Sequence, residues 1–511
     1  MPATTDRRTF LKAGAVAAVP AGADAIEIDP APSYELSPFL YMQFMEPLGT
    51  TDGSVEASWD HAKMDWRPDL VEVTRDLGCT MLRWGGIYTD FYRWREGVGP
   101  RGKRPVMRNL LWGGIESNQV GTGEFVDFSR RVGAEPLICV NFESDGRERY
   151  MRDGDSIRTA DSKETAEWVA YCNDPDNKER LSHGVKEPYN VKYWQIGNET
   201  SYDSRGFRLP AAQKKTVEFA RAMRKADPSI QLIGWGGDDR GSRRLGEPVQ
   251  NWTKGMIEAA GDYLNYVAFH HMFNPDDLDD PVFAWGKYRE DAGRTWDQLM
   301  KSWKIHDAKI RQIRDQLGNL EMPLAMTECH YSIAGRHRCE VLSTWAAGVS
   351  YARMLNVHER HGDVLKIATA ADFCGTRWQV NAVMLPVPGN QGAYLMPVAH
   401  VMKLYRHHSG ERAVSVKRTP ADLDVTASRT GDRLFLHVVN TNRTRPVTAE
   451  LAVQGLRVAS GKAFEIAADP MLETMRNNPE ALAPVVKTVA RGGRWTFPAA
   501  SVSALELDVT A

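Results

Sequence analysis

From about residue 38 to about residue 385 the chain alternates short apolar runs with amphipathic stretches, and this alternation limits the fold more than any other feature. The apolar runs fall at residues 39–45, 79–84, 136–142, 191–196, 230–235, 266–269, 323–326 and 364–370. Near-continuous apolar runs of this length suit strands buried on both faces of a parallel sheet. The stretches between them read as helices. In residues 295–317, for example, Trp296, Leu299, Trp303, Ile310 and Ile313 recur at helical spacing. Eight strands alternating with helices predict an α/β chain folded as a (β/α)8 TIM barrel.

The pattern changes after about residue 412. Residues 423–427, 434–440 and 505–509 alternate apolar with polar positions and are separated by turn signals such as Arg429-Thr430-Gly431-Asp432 and Gly492-Gly493. These features predict a C-terminal β-sandwich domain. Ala25-Ile26-Glu27-Ile28-Asp29 alternates in the same way and suits an extra, N-terminal strand of that sandwich. The expected division is 1–25 as a leader, 26–37 as the N-terminal strand, 38–400 as the barrel and 401–511 as the sandwich.

The leader assignment rests on Asp6-Arg7-Arg8-Thr9-Phe10-Leu11-Lys12 followed by an Ala-rich stretch, an order that resembles a twin-arginine export signal. It predicts a periplasmic or secreted protein. No other stretch reaches the ~18 apolar residues of a membrane span. With 64 Lys and Arg against 66 Asp and Glu, and no basic block, nucleic acid is not expected as a partner. The six cysteines are scattered without a CxxC pair, so neither a zinc nor a redox motif is read from them. Cys79, Cys139 and Cys329 lie in or beside apolar runs, as buried thiols do.

Active sites of such barrels sit at the C-terminal ends of the strands. Five strand ends carry acids or amides, and two of them stand out. Tyr193-Trp194-Gln195-Ile196 runs into Gly197-Asn198-Glu199, and Leu324-Ala325-Met326-Thr327 runs into Glu328. Counting strands puts these on the fourth and seventh, across the mouth from each other. Two facing carboxyls are what glycoside hydrolysis needs: one protonates the leaving oxygen and the other attacks the anomeric carbon. Trp84, Trp235 and Trp378, at or near strand ends, are candidates for stacking on sugar or for core packing. His270 of the His270-His271 pair is a candidate sugar contact. Neither His has a carboxylate or Cys at ligand spacing along the chain, so no metal and no cofactor is expected. Gly236-Gly237-Asp238-Asp239 reads as a turn or as a rim contact to substrate.

Gly197-Asn198-Glu199 with Glu328 resembles the clan of retaining (β/α)8 glycosidases. Within that clan the chain resembles glycoside hydrolase family 51, the α-L-arabinofuranosidases. The resemblance is carried by Phe44-Met45-Glu46-Pro47-Leu48-Gly49, Leu82-Arg83-Trp84-Gly85-Gly86, Trp94-Arg95-Glu96-Gly97-Val98-Gly99-Pro100, the residues leading into Glu199, and Gln379-Val380-Asn381. It implies Glu199 as acid/base, Glu328 as nucleophile, and Asn198 as ligand of the hydroxyl beside the anomeric carbon. It also implies Glu46 and Gln379 as ligands of other hydroxyls. Arg83 joins this set, steadying a carboxylate by paired hydrogen bonds rather than touching sugar. The implied partner is a carbohydrate, and the family often forms oligomers.

Two positions depart from the family pattern. Ile87 stands where the family has a sugar-binding Asn, and Met272 where it has an aromatic hydroxyl that steadies the nucleophile. His270, His271, Tyr88 and Tyr331 are the candidates to take over that second task. The departures keep two further readings open: a same-clan glycosidase acting on another sugar, such as a β-xylosidase or endo-glycanase, and a carbohydrate-binding protein that has lost catalysis.

Overall fold

The computed structural model describes residues 24–49, 54–142, 152–154, 156–202, 207–333, 338–387 and 392–511. The twin-arginine stretch lies outside the described residues. Eight strands, Gln43–Met45, Met81–Trp84, Glu135–Val140, Tyr193–Ile196, Gln231–Trp235, Tyr266–Phe273, Leu324–Tyr331 and Leu365–Ala368, are hydrogen-bonded in chain order. Every neighbouring pair is parallel. The sheet closes where the Met42 N–H donates to the Ala368 carbonyl at 3.0 Å. The expected barrel is therefore present, with helices on its outside and side chains filling its inside.

Its sixth and seventh strands run on past their apolar runs. Pairing continues from Val267 beside Leu324 to Phe273 beside Tyr331, with a bulge that sets Phe269 against Met326 and His270 against Glu328. Thr327 is the extra residue. Bulges re-aim side chains at barrel rims, and this one turns Glu328 toward the mouth.

A nine-stranded sheet forms the second domain. Strand Ala25–Glu35 enters it between Arg412–Arg418, antiparallel, and Val447–Val453, parallel, as the alternation at its start predicts. Strands Val485–Val489 and Arg494–Phe497 lie at opposite ends of the strand order although only a short turn joins them. The sheet must therefore fold over until its edges meet. At that seam Gly492 donates to the Val458 carbonyl and Leu451 to that of Gly493. Helix Pro397–His407 crosses the boundary expected at residues 400 and 401, and the sandwich strands resume only at Arg412. All six cysteines are buried, and none is in a disulfide. No described helix is long and apolar enough to cross a membrane.

Helix Trp345–Arg360 joins the two domains. Its buried Glu359 accepts from Tyr41 Oη at 3.1 Å and contacts His437 of the sandwich. Asp424, buried on the sandwich side, takes Arg353 at 2.9 Å, Asn356 at 3.0 Å and Arg360. The two guanidiniums hold the Asp424 carboxyl below its ordinary range despite burial, which alone would raise it.

Removing one partner of a buried ion pair strands the other charge. Asp424→Ala is therefore expected to cost about 3 kcal/mol of unfolding free energy in chemical denaturation. A lowered carboxyl contributes stability above its unfolded pKa and loses it as pH falls through the folded one. The gap between wild type and variant should accordingly close on acidification below the ordinary carboxylate range.

Candidate active site

Along the second barrel strand Arg83 points inward, and it is completely buried. Its three nitrogens reach three acceptors: Nε to Gln195 Oε1 at 2.9 Å, Nη1 to Glu328 Oε1 at 2.7 Å and Nη2 to Asn198 Oδ1 at 2.7 Å. Arginine only donates, so the Asn198 atom facing it is the oxygen. The Asn198 NH2 is then left buried and, among the described residues, without a hydrogen-bond partner. It is a donor available for a hydroxyl at the mouth.

Past the fourth strand the backbone turns through left-handed conformations at Gly197 (φ 76°) and again at Glu199 (φ 49°). A Cβ at residue 197 would lie 2.9 Å from Phe142, so glycine is needed there for space as well as for conformation. Glutamate at positive φ is uncommon and costs about 1–3 kcal/mol. The turn brings the Glu199 carboxyl to His270, 2.9 Å from its Nδ1. One Glu199 oxygen and one of Glu328 lie within 4.8 Å of each other. Such a pair can act on two atoms of a single bond.

His270, fully buried, sits between them. Its Nδ1 is 2.9 Å from Glu199 Oε1 and 3.6 Å from Glu328 Oε2, and its Nε2 is 3.0 Å from Thr327 Oγ1. While Glu199 is a carboxylate, only the tautomer protonated on Nδ1 satisfies both ends, with Thr327 donating to Nε2. Burial pushes the imidazole down to about 3, so the ring is neutral. Trp235 packs edge-on against it at 4.7 Å. Burial also raises the Glu199 carboxyl to about 7, against the opposing pull of the Arg240 and Arg83 charges.

Glu46, after the first strand, accepts from the Tyr88 N–H and from Trp112 Nε1, each at 3.0 Å. Burial and the nearby Glu328 push its carboxyl well above the usual range. A Cβ at Gly86 would fall 2.2 Å from the Glu46 carboxyl carbon, which explains the second glycine of Gly85-Gly86. Two carboxylates and an imidazole within 4.8 Å also form a possible cation-ligand set. Here the Arg83 guanidinium already supplies the positive charge beside Glu328.

Several expectations need correction. Arg83 touches Glu328 through one nitrogen rather than a pair, and its burial excludes sugar contact. Trp84 is core: it is buried against Tyr88, Tyr92 and Phe125 and has no face for sugar. Trp235 is buried as well, serving His270. Trp378 alone of the three keeps partial exposure, with Trp112 edge-on at 6.1 Å. Gln379 is half-buried next to it, and its N–H donates to the Arg338 carbonyl. Asp238 and Asp239 are scaffold: the first pairs with Lys309 at 2.5 Å and the second caps helix Arg240–Leu245. Of the residues proposed to replace the aromatic hydroxyl, His270 is in place. His271 faces the other way, toward His306, while Tyr88 packs against Trp84, Phe91 and Tyr92 and Tyr331 pairs with Ser350.

Four site residues come from outside the expected set. Arg240 lies over the Tyr202 ring at 3.6 Å and acts on Glu199 through its charge. Trp112 stands on a loop, held where Asn109 Oδ1 accepts its N–H at 2.8 Å. His330, paired in register with Met272, is 3.8 Å from Asp372 Oδ1. Asp372 is raised by burial to about 6, and its Oδ1 has no hydrogen-bond partner among the described residues. A polar residue two places after an acid at a strand end, as His330 is after Glu328, was one available sign, and an acid just past the eighth apolar run, as Asp372 is, was another; Arg240 and Trp112 carry none.

Comparison with known proteins bears on this arrangement. Residues 73–292 match the family described as alpha-L-arabinofuranosidase 1 domain, and residues 328–501 match the alpha-L-arabinofuranosidase C-terminal domain. An intracellular exo-alpha-(1->5)-L-arabinofuranosidase of Acetivibrio thermocellus is 30% identical over 259 residues, covering 49% of this chain and 48% of that protein. The matched part thus spans about half the length of that relative. A protein of the same name from Streptomyces lividans is 25% identical over 506 residues, covering 90% of this chain and 71% of the relative. Among solved structures, the arabinose complex of the Thermotoga maritima α-L-arabinofuranosidase superposes with a TM-score of 0.74 at 23% identity, covering 94% of this chain and 99% of that one.

Because the Arg240 charge lowers the Glu199 carboxyl, Arg240→Ala is expected to raise it further, above the wild-type value of about 7. Carbon-13 NMR titration of labelled glutamate carboxyls, with Glu199→Gln to assign the signal, reads the shift. A downward move would contradict the described electrostatics.

Proposed function

The chain belongs to glycoside hydrolase family 51, the α-L-arabinofuranosidases, and we propose that it is a retaining, exo-acting α-L-arabinofuranosidase with Glu199 as acid/base and Glu328 as nucleophile. The observation that carries the reading is the pair of carboxyl oxygens within 4.8 Å. Retaining glycosidases hold their carboxyl groups ~5–5.5 Å apart, whereas inverting ones need ~6.5–9.5 Å to admit a water.

In the first displacement a Glu328 oxygen bonds to the anomeric carbon as the glycosidic C–O bond breaks. The Glu199 proton passes to the leaving oxygen. In the second, water attacks the anomeric carbon, Glu199 takes its proton, and the bond to Glu328 breaks. Burial supports the acid role, since a carboxyl raised to about 7 still holds its proton near neutrality. Arg83, 2.7 Å from Glu328, is the counter-charge of the nucleophile. Neutral His270 takes the place of the aromatic hydroxyl that Met272 lacks, 3.6 Å from Glu328 Oε2. The free Asn198 NH2 suits the hydroxyl beside the anomeric carbon. Glu46 and Gln379 are proposed for the remaining hydroxyls. Exo action and the arabinofuranose rest on the named relatives.

Met272 favours a second reading, the same double displacement on another sugar, because it stands where the family has an aromatic hydroxyl, in register with His330, which lies 3.8 Å from Asp372. Turnover of a panel of aryl glycosides decides: hydrolysis of the α-L-arabinofuranoside above all others supports the first reading, and preference for a xyloside the second. Glu328→Ala should abolish turnover. Glu199→Ala should slow it by about 10²–10⁴-fold, with partial rescue by azide on good leaving groups. For the wild type, kcat/KM should fall as pH rises through about 7, when Glu199 loses its proton. Wild-type activity in either variant, or an inverted first product by NMR, would overturn the assignment.

Export through the twin-arginine route is proposed from Arg7-Arg8 and the Ala-rich stretch behind it. The Acetivibrio relative is by name intracellular, so location is a point where this chain is proposed to differ. Replacing Arg7 and Arg8 with lysine should leave the protein in the cytoplasmic fraction. An unchanged distribution between fractions would rule export by this signal out.

A further inference from the structure

Side chains alternate along a strand, so the residues that come after His270 and Glu328 face the opposite side of the barrel wall. They are His271 and Cys329, and the two are register partners on adjacent strands. Helix Ala292–Leu317 lies over that face and brings in His306. His271 Nδ1 stands 3.1 Å from His306 Nδ1, and Cys329 Sγ stands 3.9 Å from the same nitrogen. The three donor atoms all lie within 4.8 Å of one another, and the three residues are buried.

We propose that His271, His306 and Cys329 form a site for a d10 cation, Zn2+ or Cu+, that ties the rim ends of the sixth and seventh strands to helix Ala292–Leu317 directly behind Glu328. The donor set is the first reason. One thiolate and two imidazoles with no carboxylate suit soft and borderline cations and not Ca2+ or Mg2+. Geometry is the second. A tetrahedral centre with metal–nitrogen bonds of ~2.05 Å and metal–sulfur of ~2.3 Å sets nitrogens roughly 3.3 Å apart and sulfur roughly 3.6 Å from nitrogen. The two separations to His306 Nδ1, 3.1 Å from His271 and 3.9 Å from Cys329, differ from these by a few tenths of an ångström, and the third pair lies within 4.8 Å. The third reason is the outer layer. His306 Nε2 meets His358 Nε2, on helix Trp345–Arg360, at 2.7 Å. Donation from the His306 Nε2–H leaves its Nδ1 lone pair aimed at the site, the arrangement by which neighbours orient metal-binding histidines. Binding would displace the Cys329 thiol proton to solvent as the metal–sulfur bond forms.

The pattern is invisible along the chain. His271 has no cysteine near it in sequence, and the strand pairing alone brings Cys329 beside it.

Metal content of the purified full-length protein, by mass spectrometry, is the first measurement. The stripped protein is then titrated separately with Zn2+, with Cu+ under reducing conditions, and with Co2+ as a spectroscopic probe. One equivalent should bind. Co2+ should give a thiolate charge-transfer band, and the favoured native ion should raise Tm. Cys329→Ser should lose the band and the Tm rise, while Cys172→Ser, a buried thiol elsewhere, should keep both. His306→Gln serves if the cysteine variant does not fold. Stoichiometric Zn2+ or stoichiometric Cu+ each upholds the site and names its ion. A wild type that neither retains metal nor shows the Co2+ band would overturn the proposal and leave a hydrogen-bonded imidazole chain in its place. A band that survives Cys329→Ser would overturn it too. Every readout is independent of substrate, so the outcome stands apart from the glycosidase assignment.

Discussion

Arg83 carries a full positive charge at a point of the barrel with no solvent access, and the mouth is arranged around neutralising it. A buried guanidinium is tolerable only when its N–H groups are met and its charge is balanced. Glu328 from the seventh strand balances the charge, and Gln195 and Asn198 from the fourth take the other nitrogens. Being donor-only, Arg83 also fixes which way both amides point. Gln195 then gives its NH2 to the Gly197 carbonyl at 3.0 Å, inside the turn that carries Glu199. One cation therefore sets the position of one carboxyl, the amide beside the other, and the turn between them.

This dependence explains what could be read from the chain. Arg83, Asn198, Glu199 and Glu328 stand at the ends of apolar runs, where topology alone brings distant residues to one rim. Their positions were legible because strands buried on both faces have little freedom in sequence. Arg240 and Trp112 were not legible, since they come from a short helix after the fifth strand and from a loop after the second, whose paths depend on tertiary contacts. The bulge at Thr327 was equally hidden: Thr-Glu at a strand end does not say which residue pairs with its neighbour. Trp84 and Trp235 show the converse. Their place at strand ends was correct, but side-chain alternation there favours packing over exposure.

Alternation also divides the work of the sixth and seventh strands. His270 and Glu328 face the mouth, while His271 and Cys329 face the helices. From that outer face a packed line continues through His306 to His358 on helix Trp345–Arg360. The next residue of the helix, Glu359, meets His437 of the sandwich. The sandwich thus braces the wall behind the seventh strand and is not an appendage beside the barrel.

Glu199 shows why such bracing is needed. Its left-handed backbone would relax if the turn were free. The turn is instead fastened to the fifth strand and to the segment leading from it into helix Arg240–Leu245. Ser201 Oγ donates to the Asp238 carbonyl and accepts from Trp235 Nε1 at 2.8 Å, and the Gly241 N–H donates to the Ser201 carbonyl at 2.9 Å. Asp238 is itself held by Lys309. Residues that read as a rim contact to substrate thus act one step back, on the backbone that positions the carboxyl. A carboxyl whose proton affinity is set by burial keeps that affinity only while it stays in place. A rigid turn beneath Glu199 is therefore as much a part of its chemistry as the charges of Arg83 and Arg240.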